Sequence, residues 1–383
     1  MSVLVKVTAT ALILLIGLTS EQFSCSVITT PAQADVEPIR SDQWHLTFLK
    51  VAEAQMISKG DGIVVAVPDT GVDPHPDLSE NLLAGIDTVA GGSGDGRKDS
   101  NSHGTSMAGL IAASGRATGA LGIAPRSKIL PIMASTSDNF GEADDLAAAI
   151  EYAISKNVQV ISISSGGAST PRLVRAVEAA IAANIVIVAA AGNVPNQPLS
   201  YPANEEDVIA VGGVDRLGRH AAFSATGPQV DVTAPAVDIY STSYGGKYSK
   251  GTGTSSATAI VAGAAALIRS KYPYLPAQEV AHRLTATAID KGPPGRDDEY
   301  GYGVIDLVAA LTADVPPLGF ESVSAPADAG PTAPAEARPG GDDDGAQVRG
   351  LVTLAAIAAV GIGWALVARR RRRGDDPPPR ISR

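Results

Sequence analysis

The chain has 383 residues, of which 45% are hydrophobic and 4% aromatic. It carries 30 Lys+Arg against 40 Asp+Glu, a net charge of −10, and one Cys. The apolar fraction excludes a wholly disordered chain. One Cys excludes a disulfide framework or a Cys-ligated zinc site, and the acidic balance argues against nucleic acid as the main partner.

The N-terminus combines Lys6, an apolar run from Val7 to Leu18 and the small-residue segment Pro31-Ala32-Gln33-Ala34. This is the pattern of a secretory signal peptide over residues 1–34, cleaved after Ala34. The apolar run is shorter than the roughly 20 residues that a bilayer span requires. Cys25 falls in the part to be removed, so the mature chain would contain no Cys. Residues 35–60 are expected to form an extension that wraps the following domain, with Trp44 and Leu46 as apolar anchors.

Residues 61–314 alternate between short apolar runs and helical stretches. Strands are predicted at Ile63–Val67, Lys128–Ile132, Val158–Ile163, Ile185–Ala190 and Val208–Val211. Helices are predicted at Gly104–Ala113, Asp144–Lys156, Pro171–Ala183, Ser255–Lys271 and Ala277–Thr287. Such alternation implies an α/β fold: a central, mainly parallel sheet with helices on both faces. In such sheets functional groups collect at the carboxyl ends of the strands.

Three segments place chemistry there. Asp69 ends the first strand, ahead of the turn Thr70-Gly71. His103 stands just before a helix in Ser102-His103-Gly104-Thr105, where Gly104 admits close backbone approach. Ser255 opens a second helix in Gly253-Thr254-Ser255-Ser256. A helix N-terminus offers N–H groups without intrahelical partners and a field that favours negative charge. That suits a hydroxyl that attacks a carbonyl and must then stabilise an oxyanion.

Residues 315–348 are rich in Pro, Ala, Gly and Asp and cannot bury a core, so they read as a linker. Leu351 to Ala368 is then an unbroken apolar stretch, followed at once by Arg369–Arg373. This predicts a transmembrane helix over 349–368 and a cytoplasmic basic tail over 369–383. The catalytic body is expected outside the cell membrane, tethered by this single pass. The tail holds seven Arg and two Asp, and Arg349 adds one more positive charge. Residues 35–348 therefore carry −16.

The order Asp69, His103, Ser255 resembles that of the subtilisin-like serine peptidases. Here His103 lies 34 residues after Asp69, and Ser255 lies 152 residues after His103. The resemblance extends over nearly all of residues 60–312. It implies a subtilisin-like three-layer fold, protein or peptide substrates, and an Asp/His/Ser triad that works through an acyl-enzyme. Ala189-Ala190-Ala191-Gly192-Asn193 resembles the family's oxyanion-Asn segment, which implies that Asn193 helps hold the oxyanion. Ser164-Ser165-Gly166-Gly167 resembles its substrate-pairing segment. Together with Ala190, Ala191 and Gly192 it is expected to wall the specificity pocket, which implies small or apolar preferences.

The pattern narrows further. Ile39-Arg40-Ser41-Asp42-Gln43-Trp44-His45-Leu46, Gly122-Ile123-Ala124-Pro125 and Gly301-Tyr302-Gly303-Val304-Ile305-Asp306, with the signal, linker and anchor, resemble the mycosins. These are membrane-anchored subtilases of actinobacterial type VII secretion systems. The resemblance implies processing of secreted substrates and association with type VII membrane components. The alternative reading is a structural component of that complex with dispensable peptidase activity.

Two positions depart from the family pattern: Ala259 stands where it has Pro, and Ile260 where it often has His. His75, in His75-Pro76-Asp77-Leu78, resembles a structural turn rather than a second catalytic histidine. His75, Asp77, His103 and His220 show no metal-ligand spacing. No cofactor is expected. Structural calcium occurs in the family, but the acidic loops here show no EF-type spacing that would assign it.

Overall fold

The computed structural model describes residues 30–31, 39–99, 101–116, 119–136 and 142–319. These residues fall within one compact unit that ends at Phe320. The expected signal peptide, linker, membrane helix and basic tail lie outside the described residues, Thr30–Pro31 and the linker's first five residues excepted. Among the described residues no helix is long and apolar enough to cross a membrane.

In chain order the elements are β1 (Thr30–Pro31), α1 (Ile39–Asp42), α2 (Trp44–Phe48), α3 (Val51–Ile57), β2 (Val64–Asp69), β3 (Ile86–Asp87) and α4 (His103–Ala112). Next come β4 (Lys128–Met133), α5 (Ala143–Ser155), β5 (Val160–Ile163), α6 (Pro171–Ala182), β6 (Val186–Ala190) and β7 (Val208–Val214). The last are β8 (Val232–Pro235), β9 (Ile239–Ser243), β10 (Lys247–Gly251), α7 (Thr254–Lys271), α8 (Ala277–Ala286) and α9 (Leu307–Thr312). All five predicted strands and all five predicted helices are present, with ends that differ by at most three residues.

Seven strands form one sheet in the order β3-β4-β2-β5-β6-β7-β8, with every pairing parallel. Strands β5, β6, β7 and β8 are buried along their whole length. This explains their near-continuous apolar runs, since both faces of the sheet are covered. From β2 the chain moves first to one side (β3, β4) and then to the other (β5 onwards). The carboxyl end of β2, where Asp69 sits, is thus next to the point where the winding reverses, and such points open a crevice.

Helices α5 and α6 cover one face with a core that includes Ile150, Ile161, Leu173 and Ile187. Helices α4, α7 and α8 cover the other, where Val65, Leu110, Ile111, Val188 and Ile260 meet. Helix α7 is buried on every side from Thr254 to Arg269. A helix that is apolar all round belongs in a core. Ala259 and Ile260, the two positions that depart from the family pattern, are both fully buried within it.

A second, three-stranded antiparallel sheet, β1-β10-β9, was not foreseen. It braces α4. Ser241 Oγ donates to the Ser106 carbonyl and Thr242 Oγ1 to the Thr105 carbonyl, each at 2.7 Å. The two elements meet so closely that a Cβ on Gly109 would lie 2.1 Å from Thr242 Oγ1.

From Ile39 onwards the N-terminal extension is helical and closely packed. Trp44 and Leu46 are partly buried against the core under α4 and α7, but Leu49, Val51 and Ala54 go deeper. Gln43 Nε2 donates to the Leu121 and Tyr240 carbonyls, Trp44 Nε1 to the Val237 carbonyl, and Gln55 Nε2 to the Gly122 carbonyl.

Candidate active site

Asp69 is the last residue of β2. It is held by its register with Met133 on β4 and by the amides of Ala134 and Ser135, both donating to its carbonyl. Its carboxylate Oδ1 accepts the Thr70 amide at 2.8 Å and stands 2.7 Å from His103 Nδ1. Both side chains are largely buried. His103 begins α4, and the helix start can reach the strand end because residue 104 is glycine. A Cβ there would lie 2.1 Å from the Gly71 carbonyl oxygen.

Ser255 is the second residue of α7, so its N–H precedes the first intrahelical acceptor. In this conformation Ser255 Oγ donates to the Ser164 carbonyl at 3.1 Å, and Ser164 Oγ donates back to the Ser255 carbonyl at 3.4 Å. These bonds fasten the nucleophile candidate to the carboxyl end of β5. Helix α4, which carries His103, packs against α7.

Asn193 lies three residues past β6. Its Oδ1 accepts both the Thr254 amide, at 2.8 Å, and the Thr254 hydroxyl, at 3.0 Å. The amide N–H can only donate, so these bonds settle which end of the Asn193 side chain is oxygen. The Asn193 Nδ2 donor is thereby fixed beside the first turn of α7.

A cavity of about 70 Å³ opens beside these groups. Ser164, Ser165 and Gly166 line it on one side and Ala190, Ala191, Gly192 and Asn193 on another. Gly167, expected to share in substrate pairing, does not line it. Its amide and carbonyl are both bonded to Tyr201, at 3.0 and 3.2 Å. Sequence reasoning missed Val194, Gln197, Pro198, Ser200, Ala225 and Thr254, which complete the lining. Nearness in sequence to Asn193 or Ser255 hinted at all of these but Ala225. Ser200 comes close to Gly166, where an added Cβ would sit 3.0 Å from the Ser200 Cβ. Among the described residues that line the cavity, none is charged.

His75 has a structural part, as expected. Its Nδ1 accepts the Asp77 amide at 3.1 Å and its Nε2–H donates to the Lys247 carbonyl at 3.0 Å. Burial holds its pKa below the usual histidine range. Asp77 Oδ2 accepts the Ala120 amide and the Tyr248 hydroxyl, each at 2.8 Å. The turn therefore ties three loops together. Among the described residues, no cluster of three or more His, Cys, Asp or Glu side chains is arranged to hold a metal ion.

Comparison with known proteins agrees with this geometry. The Peptidase_S8 model of the subtilase family matches residues 60–303. The thermostable alkaline protease of Halalkalibacterium halodurans is 37% identical over 276 residues, covering 71% of this chain and 74% of that protein. Subtilisin DY of Bacillus licheniformis is 41% identical over 258 residues, covering 66% of this chain and 92% of that protein. Among solved structures, MycP1 with its N-terminal propeptide removed aligns with a TM-score of 0.66 and 31% identity, over 71% of this chain and 98% of that one. The MycP3 protease of the type VII (ESX-3) secretion system aligns with a TM-score of 0.67 and 32% identity, over 76% and 94%. The chain belongs to the subtilase family of serine peptidases, and its fold is shared with the mycosins MycP1 and MycP3.

Proposed function

We propose that the chain is a membrane-anchored, extracytoplasmic serine endopeptidase that processes substrates of a type VII secretion system, with Asp69, His103 and Ser255 as its triad. The observation that carries the catalytic part is the 2.7 Å contact between Asp69 and His103 at the carboxyl edge of the sheet, with Ser255 in the first turn of the helix packed beside them.

In this reading Ser255 Oγ turns from the Ser164 carbonyl to His103, which takes its proton as the oxygen attacks the substrate carbonyl. Asp69 holds the imidazole by Nδ1 and stabilises the imidazolium. The oxyanion forms between the Ser255 N–H and the Asn193 side-chain amide. His103 then passes the proton to the leaving amine. Water repeats the sequence on the acyl-enzyme, with His103 again as base.

The small uncharged cavity supports a preference for small aliphatic side chains before the cleaved bond. At about 70 Å³ it is roughly half the size of an engineered cavity that holds benzene. Substrate main chain is assigned to the Ser164–Gly166 edge, since the Gly167 groups are taken by Tyr201.

The membrane and secretion parts rest on the apolar 351–368 stretch with its arginine cluster, and on the mycosin likeness. Reaction of the full-length chain with a fluorophosphonate probe tests the catalytic part. Labelling is expected in the wild type and lost in Ser255→Ala, and an unlabelled wild type would sink it.

A second reading is favoured by one neighbour, MycP1, which is described as an essential component of the type VII (ESX-1) secretion system. By that likeness the chain would serve the machine as a structural part. Secretion that survives Ser255→Ala but not deletion of the chain would make scaffolding the essential role.

A further inference from the structure

Asp99 lies four residues before His103 and is almost fully buried. Its carboxylate accepts five hydrogen bonds. Oδ1 takes the Thr70 hydroxyl and the amides of Asn101 and Ser102, each at 3.0 Å. Oδ2 takes the Thr105 amide at 2.9 Å and the Thr105 hydroxyl at 2.6 Å. Three of these donors are amides that can only donate. The Thr105 oxygen accepts the Asp73 amide at 2.9 Å and the Thr70 oxygen accepts the Gly104 amide at 3.1 Å, so each has its own proton to donate, and for Thr70 the Asp99 Oδ1 at 3.0 Å is nearer than Asn101 Oδ1 at 3.4 Å. Burial pushes the Asp99 pKa up, and this set of donors opposes it by favouring the ionised carboxylate.

The bonds link two segments that must stay in register. Helix α4 begins at His103, and Ser102, at its N-cap, provides no side-chain cap bond. Its first three amides go elsewhere: His103 to Asn101 Oδ1, Gly104 to Thr70 Oγ1 and Thr105 to Asp99 Oδ2. Thr70 is the hinge of the arrangement. Its amide donates to Asp69 Oδ1, while its hydroxyl donates to Asp99 and accepts from Gly104. Both ends of the Asp69–His103 contact are thereby tied to one buried anion.

We propose that Asp99 is a positioning residue for catalysis: through Thr70 and the first turn of α4 it holds His103 in line with Asp69. This rests on the triad reading above. It differs from ordinary helix capping in a testable way. A cap alone would change stability, whereas a positioning group changes the chemical step. Displacement of a catalytic group by about 1 Å is enough to cost on the order of 100-fold in rate.

The test uses the full-length chain as wild type, Asp99→Asn, Thr70→Val and Thr70→Ser. Hydrolysis of a tetrapeptide p-nitroanilide with alanine at the cleaved bond gives kcat and KM, and thermal unfolding is followed alongside. Asn keeps the shape of Asp but turns an NH2 group toward donors. Asp99→Asn is expected to lose on the order of 10- to 100-fold in kcat with KM within about two-fold. Thr70→Val should show the same split, and Thr70→Ser, which keeps the hydroxyl, should recover most of the loss.

An inactive wild type would count against the peptidase reading itself. An active wild type with Asp99→Asn unchanged in kcat would overturn the role of Asp99, even if its melting temperature falls. Should Asp99→Asn fail to fold, Thr70→Val decides. It leaves the Asp99 bonds to Asn101, Ser102 and Thr105 in place, and an unchanged kcat there would overturn the inference.

Discussion

His45 offers a stability test whose size follows from the structure. It sits in α2, fully buried, and neither ring nitrogen has a hydrogen-bond partner among the described residues. Burial without a compensating partner disfavours the charged form and lowers its pKa from 6.5 to about 3. Between those values the unfolded chain binds a proton that the folded chain refuses. Folding stability from this group is therefore complete above pH 6.5 and falls with pH by about 1.4 kcal/mol per unit, until the folded pKa is reached. At pH 5 the loss is about 2 kcal/mol, and near pH 3 it approaches about 5 kcal/mol. His45→Met removes the proton site and keeps an apolar side chain of similar reach. Both forms are unfolded in urea at pH 7.5 and pH 5, in a Ser255→Ala background to prevent self-digestion, with fluorescence of the adjacent Trp44 as the probe. Carboxylates titrate alike in the two proteins, so the difference between their pH dependences isolates His45. The wild type should lose about 2 kcal/mol more than His45→Met over this interval. Equal losses would refute the reasoning and mean that His45 finds a partner or water when charged.

Three further outcomes are expected. Asn193→Ala should lower kcat by about 10²–10³ with little change in KM in steady-state peptide hydrolysis, as loss of one oxyanion donor does. Asp77→Ala leaves the Ala120 amide and Tyr248 hydroxyl without their acceptor. Each orphaned donor costs about 1–3 kcal/mol, which calorimetry should register as a clear fall in melting temperature. Gly166→Val brings side-chain atoms to within contact of Ser200 at the cavity wall. It should depress kcat/KM for an alanine p-nitroanilide while leaving the melting temperature nearly unchanged.

The sequence was most legible where burial was most uniform. Strands β5 to β7 and helices α4 and α7 carry long apolar runs because they are covered on all sides, while α5 and α6 show one apolar stripe at helical spacing. The triad candidates were legible for a related reason: strand ends and helix starts are marked by local residues such as Gly71, Gly104 and Gly253. Strands β9 and β10, with sequences IYSTS and KYSKG, were not. Ser241 and Thr242 of β9 find their partners in α4, and no local pattern reports a partner more than a hundred residues away. Gly167 misled in the same way. The motif is local, but the Tyr201 bonds that occupy its backbone are not.

The boundary of the folding unit is another place where motif and physics part. The family match starts at residue 60, yet Leu49, Val51 and Ala54 belong to the same core as α4 and α7. Ser58 Oγ donates to the Leu267 carbonyl near the far end of the helix that carries Ser255, at 2.9 Å. Fully burying a Leu or Val side chain is worth about 1.5–3 kcal/mol. The net stability of a domain is only about 5–15 kcal/mol. Removing residues 39–57 would therefore delete apolar contacts of the same order as the whole stability margin. It would also uncover α9, against which α3 packs. The extension is thus a structural part of the peptidase unit, and the acid sensitivity lodged at His45 belongs to the catalytic domain as a whole.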